Sequence, residues 1–386
     1  MSAADPSPPA AGAPRRALVV EGGATHVLAA ARCLARAGWE VGVATAGGRP
    51  RTSRAVRRCH QVPPAEVAPD AWVDAVAGLV AQHGYDVVFG ADDIEVLLLS
   101  ARRADIGCVV PHCAHDDVLR AIDKLELVRV AESVGLGVPR TEEATASTLA
   151  AVDGPVVVKA RLHWDPAGAG EARHLLAEVC SSAADATRAA GAMTDGGGVP
   201  LLQEALDGGL SALSLVRDRG GRVLGVVQQR SPRLSRRRTS CRAVTVPVDV
   251  DLLAGVERLL DELGWWGLAN LQFLTVPGDR PRLIDLNGRF YGSLALAVAS
   301  GVPLPDLWGR TALGEVVEPV PAARVGVRFQ SFFEDLSRAR LERRGGLVRD
   351  VASTVAHLPG AAHPHADLRD PGPGLRLLRD KVVRRG

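Results

Sequence analysis

The sequence predicts a mixed α/β (α+β) protein of two or three domains. Between residues 17 and 111, short apolar runs alternate with helical patterns, as in βαβ units that form a parallel sheet. The second half instead contains apolar runs joined by short polar turns, which is typical of β-hairpins. With 386 residues and a hydrophobic fraction of 47%, the chain has enough apolar side chains for more than one core.

The N-terminal part divides into a tail and a domain. Residues 1–14 are rich in proline and alanine, and we expect a disordered tail, because the charged segment and apolar core of a secretory signal are not present there. Residues 15–115 are expected to form an α/β domain. Its predicted elements are strands at 17–21, 39–44, 86–90 and 107–111 and helices at 26–37, 71–83 and 95–102.

The first strand leads into a glycine turn that does not have the dinucleotide-binding pattern. The turn reads EGGATH rather than GxGxxG, and no acidic residue ends the second strand, so NAD binding is disfavoured. Gly22, Gly23 and the Ala91-Asp92-Asp93 turn follow strands at their carboxyl ends, where open α/β sheets bind ligands. These residues are weak site candidates.

Composition argues against several other classes. The net charge of +2 gives no general reason to expect nucleic acid or a membrane surface as partner, and no apolar run reaches transmembrane length. The six cysteines are scattered without a CxxC pair, which suits a reducing cytoplasm. The segment from Cys108 to His115 fits no common zinc spacing.

The cations of this chain are strongly biased towards arginine. Arginine outnumbers lysine 43 to 3, and the lysines are Lys124, Lys159 and Lys381. A compact ammonium on a flexible stem suits a point contact to phosphate, so a lysine retained against this bias is a site candidate. Lys381 lies in a basic tail, and we expect no role for it.

The first two lysines stand at informative positions. Lys124 opens an amphipathic helix that runs to about Val134, and a solvent-facing helix lysine is the alternative there. Lys159 ends a β-branched strand that begins near Gly154. An unpaired lysine in such a strand is costly to bury, so we expect it to contact an anion.

A predicted hairpin at about residues 268–287 carries a set of oxygen ligands. The turn Pro277–Arg280 joins two strands, and a four-residue loop would place Gln272 opposite Asp285 and Asn270 opposite Asn287. Side chains two residues apart share a strand face, so Gln272, Asp285 and Asn287 are expected to converge. Hard oxygen ligands with one carboxylate suit Mg²⁺ or Mn²⁺ that also binds nucleotide phosphates.

Arg289 follows this set, and a short helix comes next. The helix is expected at Leu294–Ala299, with Ser293 as N-cap and Gly301 after its end. The alternative is an ordinary hairpin with polar residues on its solvated face.

The segment LIDLNGRFYGSLALAVASGVPLPDLW resembles the metal-binding segment of the ATP-grasp superfamily. The resemblance is greatest to the branch with the large subunit of carbamoyl-phosphate synthetase and the carboxylate–amine ligases. That branch has Gln, Glu, Asn and Pro-Arg where this chain has Gln272, Asp285, Asn287 and Gly288-Arg289. The resemblance extends from about Ala17 to Gln330, and more weakly to the end.

The resemblance implies a division into domains. It implies that residues 15–115 form a Rossmann-like pre-ATP-grasp domain and that residues 116–330 form a two-subdomain ATP-grasp fold. The lid subdomain would cover about residues 142–203. Residues 331–386 would form a C-terminal helical, arginine-rich extension.

The resemblance also implies a nucleotide site. Lys124 and Lys159 would bind phosphates, and the glycine-rich loop His163–Gly170 would be a mobile lid. The segment Gln203–Asp207 would grip adenine and ribose, with Glu204 and Asp207 as the candidate carboxylates. The implied cofactor-binding residues are Lys124, Lys159, Gln203, Glu204, Ala205, Leu206 and Asp207, and the implied metal ligands are Gln272, Asp285 and Asn287.

Six arginines fall in the thirteen residues from Arg230 to Arg242. The alternatives are a nucleic-acid site, which lacks interleaved aromatic residues, a solvated loop, or a funnel for phosphate and a substrate carboxylate. We favour the funnel, with Arg230 and Arg242 beside Arg289 as candidate catalytic residues.

The implied function is ATP-dependent carboxylate–amine ligation through an acyl phosphate, with ATP and Mg²⁺ (or Mn²⁺) as cofactors. Its partners would be a small-molecule carboxylate and an amine, with no nucleic acid or membrane, and a homodimer is the family default. The alternatives are a catalytically inactive nucleotide-binding protein, acting as a sensor or partner, and a bicarbonate-using carboxylase. The carboxylase is disfavoured because the chain has no biotin-carrier sequence.

Overall fold

The computed structural model describes residues 13–21, 26–46, 52–162, 177–235 and 238–383. Its first sheet is parallel, has the strand order β3-β2-β1-β4, and carries the N-terminal helices. Its elements are β1 (Arg16–Glu21), α1 (His26–Arg36), β2 (Glu40–Thr45), β3 (Arg58–Gln61), α2 (Pro69–His83), β4 (Val87–Gly90), α3 (Asp93–Ala101), α4 (Arg103–Ile106) and α5 (His115–Ile122). Of the strand predicted at 107–111, only one bridge between Val109 and Val87 forms, and β3 was not predicted.

The second sheet is antiparallel, with the strand order β5-β8-β6-β7. A buried cluster of small and aliphatic side chains, including Val158 and Leu202, joins it to one helix. The elements of this part are α6 (Lys124–Ser133), β5 (Thr141–Glu143), α7 (Ala146–Ala150), β6 (Val156–Ala160), β7 (Glu178–Cys180), α8 (Ala183–Asp195) and β8 (Pro200–Glu204).

The third sheet has seven strands in the order β13-β12-β9-β10-β11-β14-β15. Long antiparallel ladders join its first five strands, and β15 alone is parallel to its neighbour. The elements are β9 (Gly209–Arg217), β10 (Val223–Leu234), β11 (Ser240–Val246), α9 (Val250–Glu262), β12 (Gly267–Thr275), β13 (Arg282–Asn287), α10 (Leu294–Ala299), α11 (Leu304–Ala312), β14 (Arg328–Gln330) and β15 (Ala361–Ala362).

Three helices occupy the C-terminal part: α12 (Phe332–Glu342), α13 (Leu347–Ala356) and α14 (Gly372–Val383). The predicted extension is therefore mainly helical. The structure adds β15, which extends the seven-stranded sheet from within this part.

One core joins the first sheet to the seven-stranded sheet. Trp308 is buried, and its ring lies 4.9 Å from Phe89 and 5.4 Å from Phe290, measured between ring centroids. The same cluster contains Val19 of β1 and Leu268 of β12. Burial of such large apolar side chains stabilises the contact between the two sheets.

Candidate functional site

A cavity of about 2220 Å³ is lined by residues of the second and third sheets, of helices α1 and α3, and of the C-terminal part. The structure brings ten of the predicted site residues to its wall. They are Lys124, Lys159, Gln203, Glu204, Ala205, Leu206, Gln272, Asp285, Asn287 and Arg289. Asp207, Arg230 and Arg242 do not line it. The predicted glycine-rich lid at 163–170, Gly22 and Gly23 lie outside the described residues.

The hairpin of β12 and β13 forms the floor of the predicted metal site. Gln272 pairs with Asp285 and Asn270 with Asn287, which confirms the predicted register. Nearer the turn the ladder shifts by one residue, and Phe273 pairs with Leu283. Such a β-bulge re-aims neighbouring side chains and increases the local twist.

The ligand set of this floor fits a hard divalent cation. Asn287 is buried, whereas Gln272 and Asp285 are half-buried at the cavity wall. No hydrogen bond or ion pair of these three side chains occurs with any residue that the structure describes. One carboxylate and two amide oxygens match the ligands Mg²⁺ takes when phosphates and water complete its shell. The described residues contain no cluster of three or more His, Cys, Asp or Glu that could hold a metal.

Lys159 ends β6 and is only 6% exposed. Burial first, and then the charge of Lys124, lower its pKa to about 7, while Asp285 partly opposes them. Its Nζ donates a hydrogen bond to the Ile284 carbonyl oxygen at 3.3 Å. An ammonium in this setting gains most from a negatively charged ligand.

Lys124 is the first residue of α6 and is equally buried. The preceding Asp123 caps this helix by accepting hydrogen bonds from the backbone N–H groups of Leu125 and Glu126. The other oxygen of Asp123 accepts from Arg161 at 2.7 Å. Both carboxylate oxygens of Asp123 are therefore used by the helix N-terminus and Arg161, and Lys124 forms no ion pair with Asp123.

The segment from Gln203 to Asp207 connects β8 to the seven-stranded sheet. Gln203 donates to the Thr141 hydroxyl at 2.8 Å, and Glu204 accepts two bonds from Arg282 Nη1, at 2.9 and 3.1 Å. Sequence reasoning missed Arg282, which could have been noticed as a cation on the ligand hairpin. Asp207 is exposed. Of the two candidate ribose carboxylates, only Glu204 lies at the cavity.

Arg289 links the ligand hairpin to the N-terminal domain. Its Nε donates to Asp93 at 2.5 Å, and its Nη2 lies 3.4 Å from Asp92. Burial opposes its charge, but Asp93 and then Asp92 outweigh that effect and raise its pKa. The Asp92-Asp93 turn, a weak sequence candidate, therefore orients the predicted catalytic arginine.

His26, at the start of α1, lines the same part of the cavity. Its Nε2 lies 2.7 Å from the Ala91 carbonyl oxygen. Burial and the charge of Arg289 lower its pKa to about 4, so the ring is neutral at pH 7. The only sequence signal was its position after the glycine turn.

Of the four arginines of this segment that the structure describes, Arg230, Arg233 and Arg242 lie in β-strands rather than in a loop. Arg233 is buried and pairs with Asp335 at 3.1 Å, Asp350 at 2.6 Å and Glu342 at 3.0 Å. Arg242 pairs with Asp335 at 2.6 Å. These contacts direct two of the six arginines to α12 and α13 rather than to a substrate. Arg230 is exposed, and among the arginines of this segment that the structure describes, Arg238 lines the cavity.

Gly288 stands where the ATP-grasp pattern described above has proline, and the packing around it leaves no room for a side chain. A Cβ atom at Gly288 would lie 2.2 Å from the Trp265 ring, far inside van der Waals contact. Trp265 is buried in the core beneath β12 and β13. The Trp265 ring therefore occupies the space that a side chain at position 288 would need.

Comparisons with known proteins agree with this geometry. A family model described as "ATP-grasp in the biosynthetic pathway with Ter operon" matches residues 201–333. No curated protein matches the sequence. None of the described helices is long and apolar enough to span a membrane.

Solved structures share the fold over most of the chain. The biotin carboxylase domain of 2-oxoglutarate carboxylase from Hydrogenobacter thermophilus has 15% identity and a TM-score of 0.64, over 81% of this chain and 73% of that chain. The L-amino acid ligase from Bacillus licheniformis has 16% identity and a TM-score of 0.60, over 78% and 75%. N5-carboxyaminoimidazole synthetase from Staphylococcus aureus has 12% identity and a TM-score of 0.65, over 89% and 88%.

Proposed function

We propose that this chain, whose resemblance to the ATP-grasp superfamily the fold confirms, is an ATP-dependent carboxylate–amine ligase. One observation carries the proposal. Lys124 and Lys159 are buried without a carboxylate partner among the described residues, and they line the same cavity as Gln272, Asp285 and Asn287. Buried cations need an anion, and a nucleotide with Mg²⁺ supplies one that fits both groups.

The similar solved structures support this reading. The carboxylase domain from Hydrogenobacter thermophilus was crystallised with MgADP and bicarbonate, and the Bacillus licheniformis protein is an L-amino acid ligase. We carry the nucleotide and the ligase chemistry over to this chain as part of the proposal. The predicted domain boundaries, the homodimer and the cytoplasmic location also stay predictions.

The roles of the residues follow from their settings. Gln272, Asp285 and Asn287 would hold a Mg²⁺, which withdraws charge from phosphate oxygens when bound. Lys124 and Lys159 would neutralise the remaining phosphate charge. Arg282 holds Glu204 in place beside the segment predicted to grip adenine and ribose. Arg289, fixed by Asp93, would stabilise the oxyanion that develops during the reaction.

Two displacements complete the proposed reaction. A substrate carboxylate oxygen attacks the γ-phosphorus of ATP, and ADP leaves, which gives an acyl phosphate. The amine nitrogen then attacks the acyl carbon, phosphate leaves, and the nitrogen loses a proton. Catalysis would depend mainly on positioning and on charge stabilisation.

The first test is calorimetric titration of the wild-type protein with a non-hydrolysable ATP analogue, with and without Mg²⁺. We expect Mg²⁺-dependent binding that Lys159→Met weakens about tenfold to a hundredfold, because a charge-assisted contact is lost. Lys381→Met is the matched control and should bind like the wild type. Asp285→Asn, which removes only the charge, should lose the Mg²⁺ dependence.

The outcomes separate the candidates. No binding of the analogue to folded wild-type protein would sink the proposal. If binding is confirmed, ADP release is measured with mixtures of carboxylates and amines. Binding without ADP release under any mixture would leave the second reading, a nucleotide-binding sensor or partner.

A further inference from the structure

The cavity is larger than a nucleotide site requires. Pockets for small molecules occupy about 300–1,000 Å³, whereas this cavity has a volume of about 2220 Å³. Its wall includes residues of the C-terminal part as well as the predicted nucleotide-binding residues and Arg289. The additional space is open to a second substrate.

Part of the wall at this C-terminal end is apolar, beside polar residues such as His363, Asp367 and Arg369. Ala295, Val298 and Ala299 line it from α10, with the i, i+3, i+4 spacing that puts them on one face. Leu375 and Leu378 line it from α14, also three residues apart. Leu375 is 63% exposed and Leu378 is 49% exposed, so these side chains have apolar surface to offer.

Contacts of Asp370 and Gly372 with the N-terminal domain fix the start of α14. Asp370 is buried and accepts hydrogen bonds from Arg32 of α1 at 2.8 Å and from the Ser53 hydroxyl at 2.6 Å. A Cβ atom at Gly372 would lie 2.1 Å from the Thr52 carbonyl oxygen, so the start of α14 lies close against that backbone. The apolar wall is therefore part of the fixed structure of the cavity.

We infer that one organic substrate of the proposed ligase carries an apolar body, which binds between α10 and α14. This inference rests on the proposed function for the reaction, but the apolar binding itself does not require ATP. The apolar wall is continuous with the predicted nucleotide site in one cavity, so the occupant is a small molecule that reacts there. Contact with Leu375 and Leu378 would bury its hydrocarbon part and leave its reactive group towards Arg289.

The test measures equilibrium binding of straight-chain monocarboxylates with four, six and eight carbons. A matched series of primary amines is measured separately, and both series are run with and without the non-hydrolysable ATP analogue. We expect the Kd of one series to fall about fourfold per added methylene in the wild-type protein. Leu375→Asp should flatten this dependence while the affinity for the analogue stays unchanged.

Leu341→Asp is the matched control. Leu341 is 55% exposed on α12, and it does not line the cavity. This variant should keep the wild-type dependence on chain length. A flat dependence in both wild-type series, or an equal slope in Leu375→Asp, would overturn the inference. If the ATP analogue does not bind but the slope is present, the proposed function fails and the apolar site stands.

Discussion

The buried cations of this chain differ in whether the protein itself provides a carboxylate partner for them. Arg233 has three carboxylates within ion-pair distance, all from the C-terminal helices. Lys159 and Lys124 have none among the described residues, and both line the large cavity. A buried cation is stable only beside an anion. The fold itself supplies that anion for Arg233, whereas for the lysines we propose that a bound ligand supplies it.

The difference teaches how to separate structural from functional charge. In sequence, Lys159 ends an apolar strand, whereas Arg233 lies in the arginine-rich segment, which gave the stronger basic signal. In the structure, Arg233 and Arg242 hold α12 and α13 against the seven-stranded sheet, since both contact Asp335. A cation without a carboxylate at a cavity wall is the better indicator of a site.

The largest expected effect is on the paired arginine. Arg233→Met would leave Asp350 buried without its cation and Asp335 with Arg242 alone, and breaking a buried ion pair costs about 3–5 kcal/mol of unfolding free energy. Urea unfolding measures this loss. Arg102→Met, which removes solvent-exposed ion pairs with Asp70 and Asp105, should leave stability unchanged. Wild-type stability in Arg233→Met would break the comparison.

Replacement of the unpaired Lys159 should change the free energy of unfolding in the opposite direction. In the ligand-free protein, Lys159→Met removes a charge that burial disfavours, so the free energy of unfolding at pH 7 should rise, by about 1–3 kcal/mol. The same urea series without nucleotide tests this prediction. A loss of stability as large as that of Arg233→Met would mean that Lys159 serves the fold.

The smallest effect is on the pH dependence of nucleotide binding. The pKa of Lys159 is about 7 in the free protein, against an ordinary value of 10.5, and phosphate binds the protonated form. Above pH 7 the free lysine loses its proton, so binding must recover one, and affinity should fall by up to tenfold per pH unit. Titrations of the ATP analogue at pH 6.5, 7.5 and 8.5 measure this slope.

Lys159→Met is the control for that slope. The methionine variant binds more weakly but should lack this part of the pH dependence. The free energy of unfolding also depends on pH, because the folded and unfolded chains release the Lys159 proton at different pH values. The unfolded chain holds the lysine proton up to about pH 10.5 and the folded chain only to about pH 7, so the lysine's destabilising effect is present below pH 7 and decreases as pH rises through this window. If the affinity for the ATP analogue had the same pH dependence in the wild type and in Lys159→Met, the assignment of this effect to Lys159 would be wrong.

Much of the fold was predictable because local patterns specified it. Helix α10 begins and ends where its sequence predicted, and Gly301 beyond it has a φ of +100°, which favours glycine. The missed elements lacked such a pattern. Strand β3 is short and polar, with the sequence RCHQ, and pairs only at the edge of its sheet. Strand β11 was hidden at the end of the arginine-rich segment because its one charged residue, Arg242, is paired by a distant helix.

The sequence by itself determined the ligand hairpin and the two lysines. Pairing follows from a short turn and from the two-residue period of strands, so Gln272 and Asp285 were brought opposite each other by local geometry. Only the tertiary structure decided what surrounds them. Arg289 meets Asp93 across 196 residues of sequence, and Arg233 meets Asp335 across 102. Such contacts depend on how separate sheets and helices pack, and no local period encodes them.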